Sequence, residues 1–180
     1  DNITGQRIHL QPALQAALQT SWGYLLPRVR LYQTAYNLEG VDTLPSDTPD
    51  RTLWGANLDA GLFLERPFVF SDRQLVQTLE PRLFFNHIDQ EEQFTLPDFD
   101  SGRLTSSWDT LFRENRFTGY DRIGDEQSVT AGLSSRFRDP LTGNDLLVLR
   151  AGQKFHRRDR VVESGLVDGP AITREQSPVV

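Results

Sequence analysis

The feature that most constrains the fold is an alternation of apolar and polar residues, recurring in about six segments along the chain. Successive side chains of an extended strand point to opposite faces, so each segment would carry one apolar and one polar face. In the first, Ile8, Leu10, Pro12, Leu14, Ala16 and Leu18 share a face opposite Arg7, His9, Gln11, Gln15 and Gln19. The second sets Leu25, Pro27, Val29, Leu31 and Ala35 against Tyr24, Arg28, Arg30, Tyr32 and Thr34. The third sets Trp54, Ala56, Leu58, Ala60, Leu62 and Leu64 against Asn57, Asp59, Phe63 and Glu65. In the fourth, Leu75, Leu79, Pro81, Leu83 and Phe85 oppose Gln74, Thr78, Glu80 and Arg82. The fifth opposes Val129, Ala131, Leu133 and Phe137 to Ser128, Thr130, Ser134 and Arg136, and the sixth Leu147, Leu149, Ala151 and Phe155 to Arg150, Lys154 and His156.

Helix signals are scarce, so the chain reads as all-β and antiparallel. Two architectures use such strands. A soluble sandwich turns its polar face to water, whereas a transmembrane β-barrel turns its apolar face to lipid. Each segment is near the ~10 residues that cross a bilayer at a tilt, long for a sandwich strand of about 5–6. The links at 20–23, 66–73 and 139–145 are short, while those at 37–51 and 86–125 are long, polar and acidic. This alternation matches short periplasmic turns and long external loops, and it favours the barrel over the sandwich.

Composition narrows the function. The chain has 180 residues, a hydrophobic fraction of 37% and a net charge of −6, which gives no support for nucleic-acid binding. Cysteine is absent, which removes disulfides and thiolate metal sites from this stretch. Methionine is absent too, and the chain opens on Asp1, as expected of a processed protein or an interior stretch. No apolar run approaches the ~20 residues of a spanning helix.

No nucleophile–base–acid set, H-E-x-x-H pair or phosphate loop occurs, so no catalytic residue is proposed. His9, His87 and His156 lack a second ligand at metal-binding spacing and read as surface or lumen polarity. Asp89, Glu91, Glu92, Asp98 and Asp100 fit no cation-loop spacing and read as a solvated acidic loop. Glu80 and Arg82 share a face two residues apart and could pair. Arg113, Arg116, Asp121, Arg122 and Asp125, interleaved with glycine and aromatics, are candidates for a charge network folding the long loop back over or into the lumen. Trp22, Tyr24, Phe68 and Phe70 lie near the short-turn ends, and Tyr36, Trp54, Phe84, Phe85 and Phe155 near the long-loop ends, as two interfacial girdles would. The related stretches LQPAL, LLPRV and LEPRL each put a proline in mid-strand, where bulges are expected or, alternatively, weakened pairing.

The stretches LEPRLFF at 79–85, LFRENRFTGYDRIGDEQSVTAGLSSRF at 111–137 and RAGQKFHRRDRVV at 150–162 resemble the LptD family of outer-membrane lipopolysaccharide-assembly proteins. The resemblance rests on an LEPR-type strand, an LFR-E-N-R-F-x-G-x-DRIGD loop and a T-x-G-L-x-SR strand in that order. PALQAALQTSWGYLLPRVRL at 12–31 is similar to an earlier strand pair of the family. The family's cysteines and the first and last strands of its barrel have no counterpart, so residues 1–180 are expected to be an interior part of an outer-membrane barrel domain. The resemblance implies a Gram-negative outer membrane, lipopolysaccharide as cargo, an LptE-type lipoprotein plug in the lumen and a periplasmic Lpt bridge reached through another domain. It implies transport without chemistry and without a cofactor. Lumen-facing candidates are then Asp59, Glu65, Glu80, Arg82, Arg150 and Lys154, with the apolar faces meeting lipid. A passive porin-like channel of the same architecture is the first alternative, and a soluble β-sandwich binding module the second.

Overall fold

A computed structural model describes residues 4–39 and 46–162. They form one antiparallel sheet with almost no helix, and the six alternating segments become six ribbons lying side by side. The first ribbon comprises β1 (Thr4–Leu10), β2 (Ala13–Gln15) and β3 (Leu18–Gln19), all paired with β4 (Gly23–Glu39). Next come β5 (Asp50–Leu62) with β6 (Leu64–Phe70), then β7 (Arg73–Ile88), β8 (Glu126–Arg138) and β9 (Asp145–His156). The sheet is open, with β1–β3 at one edge and β9 at the other. The helix α1 (Trp108–Leu111) sits in the link before β8, and no helix among the described residues is long and apolar enough to cross a membrane.

The strands outrun the boundaries expected from sequence. Tyr36 and Leu38 carry the alternation of β4 to Glu39, and Arg51 and Leu53 carry that of β5 back to Asp50. The 66–73 link shrinks to Ser71 and Asp72, whose φ angles of 47° and 67° are those of a two-residue hairpin turn with left-handed backbone at both positions. At the last turn Asp139 Oδ1 accepts the Leu141 N–H at 2.8 Å and Gly143 adopts φ 73°.

The prolines mark no bulges. Pairing keeps one register along the first ribbon, from Thr4 opposite Glu39 to Gln19 opposite Tyr24. The described ladders shift only at Phe137/Arg138, next to the 139–145 turn and away from Pro12, Pro27 and Pro81. What each proline removes is a donor. Leu31 donates to Pro12 O at 3.0 Å and Ala16 to Pro27 O at 3.1 Å, but neither proline has the N–H that would complete the pair. The breaks between β1 and β2 and between β2 and β3 fall there. Likewise Gly61 pairs with Arg82 and Leu64 with Leu79, so the interruption at Phe63 lies across from Pro81 and its neighbour.

The two faces are used in an inverted sense. On β4 Tyr32, Thr34, Tyr36 and Leu38 are buried while Leu31, Gln33 and Ala35 are exposed. The buried side is the polar face, hereafter inner, covered by the 89–125 link. On the outer face Val29, Leu83 and Leu149 are 53%, 57% and 54% exposed. The apolar core is correspondingly small. It consists of Tyr32, Leu53, Ile88 and Ile123, then Tyr36, Leu38 and Leu96, then Phe84, Leu111 and Phe112 against Trp108. Paired Gly132 and Gly152 seat α1, since a Cβ on Gly132 would lie 2.6 Å from the Phe112 ring and 2.9 Å from Trp108.

The aromatic bands are corrected by the same parity. Trp22, Phe70, Trp54, Phe85 and Phe155 are exposed. Tyr24, Tyr36 and Phe84 occupy even positions on β4 and β7 and turn inward, Tyr36 and Phe84 into the core and Tyr24 onto Asp59.

Replacing Pro27 by valine restores the missing donor opposite Ala16 and is expected to strengthen the β2–β4 seam by about 0.5–1.5 kcal/mol. Amide exchange at Leu14, Ala16 and Leu18 should slow, while exchange in β7–β8 stays unchanged.

Candidate functional site: the loop on the inner face

The 89–125 link lies on the inner face and is fastened there mainly by its last five residues, Asp121–Arg122–Ile123–Gly124–Asp125, all of them buried. Each has a different partner. The Asp121 carboxylate accepts from Arg7 Nη1 at 2.6 Å on β1 and Tyr36 Oη at 2.7 Å on β4. Its second oxygen takes the backbone N–H groups of Phe99 and Asp100, at 2.7 and 3.1 Å. Arg122 turns back to its own loop and donates to the carbonyls of Pro97 and Leu96 at 3.0 and 2.9 Å. Ile123 enters the cluster with Tyr32, Leu53 and Ile88. A side chain at Gly124 would collide with the Arg116 guanidinium, which donates to Asp125 O at 2.6 Å and Asp125 Oδ1 at 3.1 Å. Asp125 also accepts the N–H groups of Val161 and Val162, joining the link to the chain beyond β9.

Arg51 of β5 is the other fastening, 1% exposed and within reach of four acceptors. Nη1 donates to Gln93 Oε1 at 2.8 Å and Asp121 O at 2.6 Å, and Nη2 to Thr34 Oγ1 at 2.8 Å and Tyr120 O at 2.9 Å. A buried guanidinium needs acceptors of this kind, and both terminal nitrogens have two each. Further along, Glu114 receives Arg28 Nη1 at 2.6 Å and Tyr32 Oη at 3.2 Å.

Of the five residues expected in the loop network, Arg116, Asp121, Arg122 and Asp125 lie within it, and Arg113 does not. Arg113 is exposed, and among the described residues its side chain meets no carboxylate. Arg7, Arg51, Gln93 and Glu114 were not singled out from sequence. Arg51 fell in a segment expected to be loop. The signal was the two-residue period running on from Asp59 and Asn57 through Leu53 to Arg51.

The acidic stretch is only partly solvated. Asp98 Oδ2 lies 3.8 Å from Arg122 Nε, and Asp100 Oδ2 accepts from Arg7 Nη2 at 2.7 Å. Glu92 is exposed. Burial alone would push the Asp100 carboxyl up. The bonds from Arg7 and from the Tyr120 and Asp121 N–H groups outweigh it and hold the group well below the usual carboxylate range. Burial pushes Glu91 up, against the pull of Arg51.

The expected Glu80–Arg82 pair does not form. Residues two apart on a strand are separated by two rises of ~3.4 Å, whereas cross-strand neighbours are ~4.5–5.5 Å apart. Arg82 therefore grips Asp59 of β5 at both carboxylate oxygens, at 2.9 and 2.5 Å, and stacks on Phe112 at 4.1 Å. Glu80 lies 3.2 Å from Arg136 of β8. Glu80, Arg82 and Arg150 line one inner-face cavity of about 170 Å³, with Arg150 5.8 Å over the Trp108 ring. Glu65, opposite Thr78, is on the same face but exposed. Lys154 is buried nearer the long-loop end, beside Glu126 and His156. His9 Nδ1 lies 2.7 Å from Thr34 Oγ1, His87 Nε2 3.3 Å from Asp89, and His156 Nδ1 2.7 Å from Glu126 Oε1. Among the described residues no three His, Cys, Asp or Glu side chains converge to hold a metal ion.

Two outcomes test this arrangement. Asp121→Ala leaves Arg7, Tyr36 and two N–H groups without their acceptor and should cost about 3–5 kcal/mol. It should make the 89–125 link sensitive to limited proteolysis, whereas Arg113→Ala should stay within about 0.5 kcal/mol of the parent. Asp100 is the pH-sensitive tie. A carboxyl whose folded pKa is depressed takes up protons more readily when released, so its contribution is present above the ordinary value of 3.8 and lost as pH falls below it. Link protection, read by amide exchange, should hold from pH 7 to about 4 and decline below, and Asp100→Asn should lower the plateau and flatten the decline.

Comparison with known proteins places this geometry. The sequence model of the family described as LptD, LPS transport system D, matches residues 1–180. An LPS-assembly protein LptD of Alcanivorax borkumensis is 53% identical over 98% of the chain and 23% of its own length. Those of Hahella chejuensis and Alkalilimnicola ehrlichii are 39% and 41% identical, over 91% and 90% of the chain and 20% and 22% of their own lengths. The chain thus spans under a quarter of the curated relatives it matches, and it belongs to the LptD family.

Proposed function

We propose that these strands are wall strands of an outer-membrane β-barrel domain through which lipopolysaccharide reaches the outer leaflet. The observation that carries the reading is the inversion of the two faces. In water the apolar face of a sheet is the one buried. Here Leu58, Leu83, Leu133 and Leu149 are exposed, while Arg51, Asp121, Arg122 and Asp125 are buried on the opposite side. Lipid on the outer face and a polar interior reconcile both. A soluble sandwich would need a second layer over the outer face, and the described residues supply none there.

The open sheet and the short span relative to the relatives fit a barrel completed by strands outside this chain. The names of the relatives support lipopolysaccharide as the cargo. On this reading the inner face, with Arg82 paired to Asp59 and Glu80 to Arg136, faces sugar head groups, water or an LptE-type plug. The periplasmic bridge would be met through another domain. The link folded over the inner face argues against an open porin-like channel, since it fills space that a passive pore leaves to water. The family is described as a transport system, and transport along such a wall requires no bond to be made or broken.

Nitroxide labels test the orientation in the full-length protein in bilayers. Labels at Leu83 and Leu133 should be reached by dissolved oxygen in preference to a water-soluble nickel chelate, and a label at Arg150, exposed on the inner face, should show the reverse. Equal chelate access at Leu83 and Arg150 would sink the membrane assignment. Photo-crosslinkers at Asp59, Glu80 and Arg150 should capture lipopolysaccharide or the plug, and solute flux without any crosslink would favour the pore.

A further inference from the structure

At the long-loop end of the inner face, a cavity of about 60 Å³ lies between β8–β9 and the link. One water needs ~10–15 Å³ of such space, so the cavity has room for a group of several heavy atoms. Arg103, Arg116, Lys154, His156 and Arg160 line it, with Glu126 as the one carboxylate. Residues distant in sequence meet there because Arg103 and Phe117 bridge the link into a small hairpin, with Leu104 N donating to Arg116 O at 2.9 Å. That hairpin sets Arg103 and Arg116 across from Lys154 of β9.

Some of these charges already have partners. Arg116 is engaged by Asp125, and Glu126 Oε1 by His156 Nδ1. Lys154 is 6% exposed, yet among the described residues its ammonium has no hydrogen bond and no carboxylate within 4.0 Å. The ammonium opens onto the cavity beside Glu126 without bonding to it, so it can take a further anionic partner there. The hydroxyl of Ser106 at the rim adds a neutral donor. Tetrahedral oxyanions suit several convergent cationic donors, because their oxygens accept charge-assisted bonds from different directions.

We propose that this cavity binds a small oxyanion of the phosphate class, with Lys154 and Arg116 at its floor, Arg160 at its side and Arg103 closing its mouth. The cavity has room for one phosphate group. A phosphomonoester would therefore enter phosphate first, with its carrier left outside beside Arg103. The assignment stands apart from the transport reading, since a phosphate site needs neither lipid nor a closed wall.

The test uses the full-length protein in detergent, titrated at constant ionic strength with inorganic phosphate or glucosamine 6-phosphate against a chloride control. Binding is read by calorimetry and by thermal shift. Both phosphates should bind and raise the unfolding temperature. Lys154→Gln and Arg103→Gln should each weaken binding about tenfold or more, the effect of losing one charge-assisted bond, and Lys154→Arg should restore most of it. Arg103 is exposed, so its variant separates lost binding from lost folding. Tighter binding of the sugar phosphate would identify a head group as the source, and tighter binding of inorganic phosphate a free ion. Neither phosphate exceeding chloride, or both variants binding like the parent, would overturn the proposal.

Discussion

The buried carboxylate of Asp121 is the point on which the rest of the structure depends. Its four donors come from three places: Arg7 on the edge strand, Tyr36 on β4, and the backbone at Phe99 and Asp100. A single group thereby ties the first ribbon, the second and the returning link together. Its backbone carbonyl is used as well, by Arg51 on β5. Three apolar clusters, around Ile123, Leu96 and Leu111–Phe112, help to hold the link down. Charge-assisted bonds do the rest, and each requires a donor aimed at its acceptor.

That requirement explains why the motif is contiguous. In an apolar core one residue can replace another of similar volume at modest cost. In a polar core each position must supply a given donor or acceptor in a given direction. Asp121 faces the strands, Arg122 its own loop, Ile123 an apolar pocket, Gly124 the Arg116 guanidinium and Asp125 the segment after β9. Five successive residues thus answer to five environments, which leaves a specific run of sequence and no period.

This also decides what sequence alone could reveal. Strand number, pairing order and faces were legible, because period-2 alternation is a local property that the sheet preserves. So were most of the loop residues that fasten the link, whose charges stand out among glycines and aromatics. Their partners were not legible, since Arg7 and Arg51 look like any polar-face arginine until the link returns to them. The Glu80–Arg82 expectation failed because proximity along a strand is not proximity in space: each residue found a nearer partner across the ladder. The prolines misled in another way. A bulge and a missing donor leave the same trace in sequence, and only the unshifted register distinguishes them.

The first ribbon therefore combines two opposed devices. Pro12 and Pro27 each remove a ladder bond, leaving pieces of seven, three and two residues along β4. Side chains restore attachment at chosen points. Arg7 reaches Asp121 and Asp100 from β1, and Arg28 links Gln15 of β2 to Glu114 of the link. Near Leu18 and Gln19 the described side chains offer no comparable tie. The edge is thus held at its long-loop end by charges on the link and is weakest towards its short-turn end. Displacing the link would loosen the seam as well, because the same arginines serve both. The attachment of β1–β3 to β4 is accordingly reinforced from the inner face, through Arg7 and Arg28, where the prolines interrupt the backbone ladder.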